Sequence, residues 1–189
     1  MKSLLAVVVF LVLLTSSRLS ADEPTQWLSP DHKLKASVVL CHESDRHDLT
    51  WDIVTVENAS GSRLASLSLE EGSGIDRAVV GDAVWSPDSR FFVFETESSG
   101  AHSIWHWPTY VYDATTSKIY SIDDTLGAVT CNNNLLKFSG PDSLEIWFWD
   151  STKADGSYSP KIIDLRDFVK KGPKMALHAK CFVYAPHYR

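Results

Sequence analysis

The sequence predicts an all-β fold of about three consecutive four-stranded units, and three observations lead to this prediction. A turn containing Pro and Asp recurs with its prolines at positions 30, 87 and 141, which are 57 and 54 residues apart. Each turn precedes an apolar, β-prone run, and further strand-like runs follow. Two of the apolar runs, 91–94 and 146–149, do not alternate with polar residues, so both faces of these strands are expected to be covered.

The first 21 residues are predicted to be a signal peptide and not part of the fold. Lys2 precedes an unbroken apolar run, 4–14, which is too short to span a bilayer. Small residues allow cleavage after Ala21 or, alternatively, after Ser17, and an uncleaved N-terminal anchor is the other alternative. Residues 22–189 are then expected to form one domain, secreted or periplasmic, with no membrane span after cleavage.

The net charge of the chain argues against two classes of partner. The sequence contains 18 basic and 24 acidic residues, for a formal net charge of −6. Cleavage would remove Lys2 and Arg18 but no acidic residue, which leaves a net charge of −8. Such a chain has no electrostatic reason to bind nucleic acid or an anionic membrane. The predicted partner is another protein or, because unpaired edge strands favour pairing, a second copy of this chain.

The first unit begins before the turn at Pro30 and is predicted to contain two hairpins in series. The apolar run 36–41 follows the turn, and 51–56 and 64–69 follow as strands separated by a polar turn. A Gly-containing connector, 70–77, then leads to the second unit.

The second unit is built around the stretch 83–95, which reads AVWSPDSRFFVFE. Pro87 presets its own φ for a tight turn, and Ser and Asp oxygens can accept hydrogen bonds from nearby backbone N–H groups. The runs 104–112 and 118–122 are predicted to form the second hairpin of this unit.

The third unit is predicted to contain the strands 144–149 and 161–165 and then one short helix, 164–171. In that helix Leu165, Phe168 and Val169 lie at positions i, i+3 and i+4, and Gly172-Pro173 ends it. The run 176–184 is a candidate last strand that would close against the first unit.

The residues of the first two units carry a resemblance to a known family. The stretch WSPDSRFFVFETESSG, which begins at Trp85, resembles one repeat of the TolB-like (PD40, WD40-like) β-propeller family, whose repeats centre on W-S-P-D-G-K. The stretch LSPDHKLKASVVLCHESDRHDLTWDI, which begins at Leu28, is similar to the same repeat. The usual Gly is replaced by His32 and Ser89, and Gly140 interrupts a third, weaker copy.

The resemblance implies propeller-like antiparallel blades, and it implies a binding platform more than a particular chemistry. Propellers typically need about four to eight blades to close a ring. We therefore expect an incomplete or non-closed propeller of about three blades with one short C-terminal helix.

One candidate metal site lies in the stretch 41–48, which reads CHESDRHD. His42, Asp45 and His47 could converge on zinc or copper at a strand-to-loop transition. The alternative interpretation is a charged hairpin loop of the kind this repeat has here.

Tryptophan pairs are candidate ligand-binding residues. Trp105 and Trp107 share one face of a predicted strand and could stack on sugar rings or form a protein-binding hot spot. Trp147 and Trp149 also share a face, and they are predicted to fill the space between sheets.

Three cysteines, Cys41, Cys131 and Cys181, leave at least one thiol unpaired within the chain. We expect a disulfide between Cys131 and Cys181, with Cys41 as a buried free thiol in its strand.

No recognised catalytic motif occurs in the sequence: it contains no nucleophile elbow, no phosphate-binding Gly loop and no HExxH. The pair Asp123-Asp124 is predicted to lie in a solvated turn. The sequence thus predicts a non-enzymatic binding module without a cofactor, most simply one that binds protein. The alternatives are a metal- or carbohydrate-binding protein, or a secreted hydrolase with an unrecognised site.

Overall fold

A computed structural model of the chain describes residues 25–43, 46–69, 78–98, 108–127, 129–130, 136–149 and 158–173. These residues form twelve strands and two short helices. The strands make three antiparallel sheets, and within the described residues the sheets do not close into a ring. This architecture confirms the predicted all-β fold of about three blades.

Sheet 1 is a four-stranded meander in chain order. Its strands are β1 (Gln26–Leu28), β2 (Leu34–Glu43), β3 (Arg46–Asn58) and β4 (Arg63–Ser68). Sheet 2 repeats the arrangement with β5 (Ala78–Trp85), β6 (Phe91–Ser98), β7 (Thr109–Asp113) and β8 (Lys118–Ser121). The two hairpins in series that the sequence predicts are present in both sheets.

Sheet 3 is narrower than the other two sheets. Its strands are β9 (Val129–Thr130), β10 (Lys137–Phe138), β11 (Ser143–Trp149) and β12 (Tyr158–Asp164). Strand β12 pairs with β11 along its whole length, so β9 and β10 share the opposite edge of β11. The sheet is therefore three strand positions wide in the described part of the chain.

The two helices are α1 (Asp123–Leu126) and α2 (Leu165–Lys170). In α2 the carboxylate of Asp164 accepts a hydrogen bond from the backbone N–H of Asp167 at 2.9 Å, which caps the first turn. Gly172 follows the helix with φ of 70°, a conformation that glycine adopts readily. The predicted C-terminal helix is confirmed.

Helix α1 corrects the prediction of a plain solvated turn at Asp123-Asp124. One helical turn forms there, and its first turn carries the negative charges of Asp123 and Asp124, which are favourable at a helix N-terminus.

Sheet 2 lies between the other two sheets and is buried on both faces. Phe92 and Phe94 belong to the core shared with sheet 1, whereas Phe91 and Val93 belong to the core shared with sheet 3 and α2. All four side chains are fully buried. The prediction that both faces of this strand are covered is confirmed.

Strand β11 fulfils the same prediction on one face only. Ile146 and Phe148 are buried against sheet 2, but Trp147 faces the other way and is only half-buried. The prediction that Trp147 fills a space between sheets is wrong, because no further sheet lies beyond sheet 3 among the described residues.

The first turn, between β1 and β2, is fixed by one serine. The Ser29 hydroxyl donates a hydrogen bond to Asp31 at 2.8 Å and accepts one from the backbone N–H of Leu34 at 3.0 Å. His32 has φ of 58°, in the left-handed region that glycine adopts more readily. The second turn repeats this geometry, with Ser86 bonded to Asp88 and Phe91 and with φ of 65° at Ser89.

The third turn differs from the first two. In the first two turns, a serine N–H bonds to the carbonyl oxygen five residues later, at Leu34 and at Phe91. In the third, the N–H of Ser139 bonds to Ser143, only four residues later. The residue with positive φ is therefore missing, which explains why the motif is weak here.

Several predicted features lie outside the described residues. They are the signal segment 1–21, the connector 70–77 and the candidate strand 176–184. Neither helix of the described chain is long and apolar enough to cross a membrane.

Candidate protein-interaction surface

The side of sheet 3 that points away from sheet 2 presents a mixed apolar and charged surface. Strand register places Glu145 opposite both Ile162 and Lys137, and it places Trp147 opposite Pro160. Directly opposed residues share a face, and so do residues two apart along a strand. These five side chains therefore lie together, and we call this surface the outer face of sheet 3.

The outer face of sheet 3 is open to solvent. Ile162 is 67% exposed, the largest exposure of any bulky apolar side chain among the described residues. Pro160 and Lys137 are exposed as well, whereas Trp147 and Glu145 are half-buried. An exposed apolar group on a sheet face, with charges beside it, can bury surface against a partner and form ion pairs around it.

The position of Ile162 in sheet 3 has an equivalent in sheet 2, and the burial of the two residues can be compared. Val93 pairs with Val111 in sheet 2, two residues beyond the pair nearest the turn. In sheet 3, Glu145 pairs with Ile162 at the equivalent position, two residues beyond the pair nearest the turn. Val111 is fully buried against sheet 3, yet Ile162 has no such cover. The outer face of sheet 3 is thus a blade-packing face that remains exposed.

Strand β12 limits how a partner can approach. It lies at the edge of sheet 3 in the described chain, and it contains Pro160, which lacks a backbone N–H. Proline at an edge discourages the addition of another strand. On the other side of the sheet, the Lys161 ammonium lies 4.8 Å from the centre of the Phe148 ring. The face of this sheet is therefore better suited to docking than its edge.

The predicted metal site is only partly covered by the structure. His42 lies in β2 opposite Thr50, and His47 lies in β3, but Asp45 is outside the described residues. Within the described part of the chain, no group of three His, Cys, Asp or Glu side chains is placed to hold a metal ion. A metal site at His42, Asp45 and His47 stays a prediction.

The other predicted site residues lie outside the described residues. They are Trp105 and Trp107 for ligand binding, and Cys131 and Cys181 for the disulfide. Both remain predictions. Cys41 lies in β2, as expected, opposite Trp51.

The turn end of the blades contains several carboxylates that are engaged in structural bonds. Asp113 is fully buried and accepts a 3.1 Å hydrogen bond from Nε of Arg90. Its carboxylate also binds the Thr115 hydroxyl, and the Arg90 guanidinium lies 4.7 Å from the centre of the Phe91 ring. These contacts fix the turn after β7.

Asp31 at the same end has a lowered pKa. The hydrogen bond from the Ser29 hydroxyl, together with one from the backbone N–H of Lys33, lowers the pKa of Asp31 from 3.8 to about 2. The carboxylate of Asp31 is therefore ionised when it makes these hydrogen bonds. Hydrogen bonding to a carboxylate has this effect without any catalytic role.

Sequence reasoning did not single out Ile162. The run 158–164 reads as an ordinary strand, and its alternation does not say which face a neighbouring sheet covers. One signal in the sequence could have indicated that Ile162 is exposed. In the third unit, the polar residues Ser143 and Glu145 occupy the positions at which the second unit has Phe91 and Val93. No family model and no curated protein matches the chain.

Proposed function

We propose that the chain is a secreted or periplasmic, non-enzymatic binding module that docks another protein on the outer face of sheet 3. The observation that carries this proposal is the 67% exposure of Ile162 at a position that is fully buried in sheet 2. The apolar segment 4–14 supports export, since it has the length of a signal h-region.

The composition of this face supports a protein partner. Trp147 and Pro160 lie next to Ile162, and half-buried tryptophans are frequent anchors of protein interfaces. Lys137 and Glu145 supply one charge of each sign, which suits a polar rim better than a strongly charged ligand.

The expected energy of the contact can be bounded. Removing the remaining exposed surface of Ile162 from water would contribute about 1–2 kcal/mol, which corresponds to a factor of roughly 5–30 in affinity. A substitution that places a charge there should therefore weaken binding by at least about tenfold.

A binding experiment with matched variants tests the proposal. The mature chain 22–189 serves as bait for the secreted and envelope proteins of its own source. A protein retained in stoichiometric amount is identified, purified and titrated calorimetrically. Ile162→Glu should abolish or strongly weaken binding, whereas Leu126→Glu should leave it unchanged. Leu126 is the matched control, because it is also apolar and exposed, at 45%, but lies in α1.

Two results would overturn the proposal. One is a partner whose affinity is the same for Ile162→Glu and for the unaltered chain. The other is self-association in light scattering that Ile162→Glu abolishes, because this would make a second copy the occupant of the face.

A further inference from the structure

The turn between β3 and β4 contains a sequence that glycosylating enzymes recognise. It reads Asn58-Ala59-Ser60, which fits the pattern Asn-X-Ser/Thr with a residue other than proline in the middle, and we call it the sequon. The other asparagines of the chain lie at 132–134, and none of them has Ser or Thr two positions later. The sequence therefore offers one position for an N-linked glycan.

The turn that contains the sequon is exposed, and its backbone is held by hydrogen bonds. Ala59, Ser60 and Gly61 are all exposed. The backbone N–H of Gly61 donates to the carbonyl oxygen of Asn58 at 2.9 Å, and the N–H of Asn58 donates to that of Ser62 at 3.0 Å. A Cβ added at Gly61 would meet no atom within 4 Å beyond its chain neighbours. The turn therefore has open space beside it.

The side-chain amide of Asn58 is oriented by its oxygen. Its Oδ1 accepts hydrogen bonds from the backbone N–H of Ser60 at 3.0 Å, from the Ser60 hydroxyl at 2.7 Å and from the backbone N–H of Ser62 at 2.9 Å. A backbone N–H can bond to the amide oxygen but not to the amide NH₂ group. The oxygen therefore faces the turn, and the nitrogen Nδ2 points away from these three donors.

N-linked glycosylation changes only the nitrogen of this amide. Nδ2 forms a bond to the anomeric carbon of an oligosaccharide, and the bond from that carbon to a lipid-linked diphosphate breaks. The lipid diphosphate leaves, and the amide gives up one proton. Oδ1 is not altered, so its three hydrogen bonds within the turn can persist after the reaction. The folded turn is thus compatible with a glycan on Asn58.

We propose that Asn58 is the acceptor of an N-linked glycan, transferred from a lipid-linked oligosaccharide diphosphate during export. The proposal rests on the export part of the proposed function and not on the docking face. The glycan would lie beside β4, which is an edge strand of sheet 1 in the described chain. Sheet 2 lies between sheet 1 and sheet 3, so the outer face of sheet 3 would stay accessible. A bulky polar group at this edge would also hinder its pairing with another chain.

Secretion from a eukaryotic cell line tests the proposal by peptide mass spectrometry. The chain 22–189 is placed behind a standard cleavable leader, so that its export does not depend on residues 1–21. The secreted, folded chain should carry one glycan, and an amidase that releases N-linked glycans should convert Asn58 into an aspartate. A parallel culture expresses the chain 1–189. Retention of that chain inside the cell would contradict the proposed export, whereas the leader-driven chain still decides whether Asn58 is an acceptor.

Variants of the turn separate the sequon from its surroundings. Asn58→Gln and Ser60→Ala should each abolish the glycan, whereas Ser60→Thr keeps the hydroxyl and should keep the glycan. Ser62→Ala is the matched control, because the Ser62 hydroxyl lies 3.2 Å from that of Ser60 but is outside the sequon. It should be glycosylated to the same extent as the unaltered chain.

Three results would overturn the proposal. The first is a secreted, folded chain without a glycan on Asn58. The second is a glycan that persists in Ser60→Ala. The third is a glycan found only on chains that fail to fold, because Nδ2 would then be inaccessible in the native turn. Circular dichroism before and after enzymatic removal of the glycan distinguishes the third result, since a folded chain should give the same strand signal in both states.

Discussion

The backbone N–H of Asp31 donates a hydrogen bond to the side-chain oxygen of Ser89 at 3.0 Å. This bond links the first turn to the second, and Ser89 makes it while it occupies the left-handed region with φ of 65°. His32, at the same position of the first turn, has φ of 58° but is exposed and makes no such bond among the described residues. The two residues therefore have the same backbone conformation and different contacts.

Glycine at these two positions should have different effects. His32→Gly relieves the left-handed conformation and should leave the free energy of unfolding unchanged or raise it by up to about 1 kcal/mol. Ser89→Gly relieves the same conformation but loses the bond to Asp31, so it should be less favourable than His32→Gly by about 1 kcal/mol. Urea denaturation measures both. Equal effects of the two substitutions would show that the bond between the turns contributes nothing.

Tyr112 should tolerate the loss of its hydroxyl. The side chain is fully buried, and this burial raises the pKa of the phenol, while the nearby Ser117 side chain lowers it by a smaller amount. The phenol oxygen makes no hydrogen bond of good geometry to the residues that the structure describes. A buried hydroxyl without a partner is costly, so Tyr112→Phe should keep or increase stability by about 1 kcal/mol. Tyr120→Phe is the matched control, because the Tyr120 hydroxyl lies 3.3 Å from that of Thr116. The control should lose stability, and the opposite ranking would contradict the prediction.

Asp31 should make the fold sensitive to acid in a defined range. Its pKa in the folded chain, about 2, lies below its ordinary value of 3.8. The contribution of the ionised form is therefore fully present above about pH 4 and disappears as the pH falls through about 2. Carboxyl titration by NMR should give a pKa near 2, and Ser29→Ala should move it upward.

The acid limb of the stability curve provides a second measurement of the same effect. Asp31→Asn removes the titrating group, so the difference in unfolding free energy between this variant and the unaltered chain should shrink from pH 4 to pH 2. A difference that stays constant over this range would exclude Asp31 as the cause.

Arg166 should hold α2 to the turns of two sheets. Its guanidinium lies 2.8 Å from a carboxylate oxygen of Asp142 and 3.5 Å from one of Asp88. The side chain is 45% exposed, so solvent screens both pairs and Arg166→Ala should cost only about 1 kcal/mol. Lys170→Ala, which removes an exposed pair with Asp167, should cost almost nothing. The effect of Arg166→Ala should also decrease in high salt, and an effect independent of salt would assign it to lost packing.

The sequence predicts the central sheet of this fold better than the outer face of the sheet at its end. Uninterrupted apolar residues at 91–94 predict a strand covered on both sides, and Phe91 and Phe92 do face two different cores. The run that contains Trp147 has the same pattern, yet its outer side is open. The local sequence pattern indicates that a strand forms and how apolar its two faces are. Whether both faces are covered depends on which other parts of the chain pack against that sheet.

The candidate surface was harder to predict than the fold, for a similar reason. Val111 and Ile162 are equivalent β-branched residues in equivalent strands, and only their neighbours make one buried and the other exposed. The turns show the same limit. His32 and Ser89 both have positive φ, a conformation that glycine adopts more readily, and residue type alone does not reveal it.

The central position of sheet 2 has a consequence for synthesis. Ala36, Val54 and Val56 of sheet 1 are buried in one core with side chains of the next sheet, such as Phe92 and Phe94. The ribosome releases sheet 1 first, and residues 78–121 of sheet 2 have to follow before this apolar surface is covered. During that interval the nascent chain exposes an incomplete apolar core, which is the kind of surface that makes partly folded chains prone to aggregate.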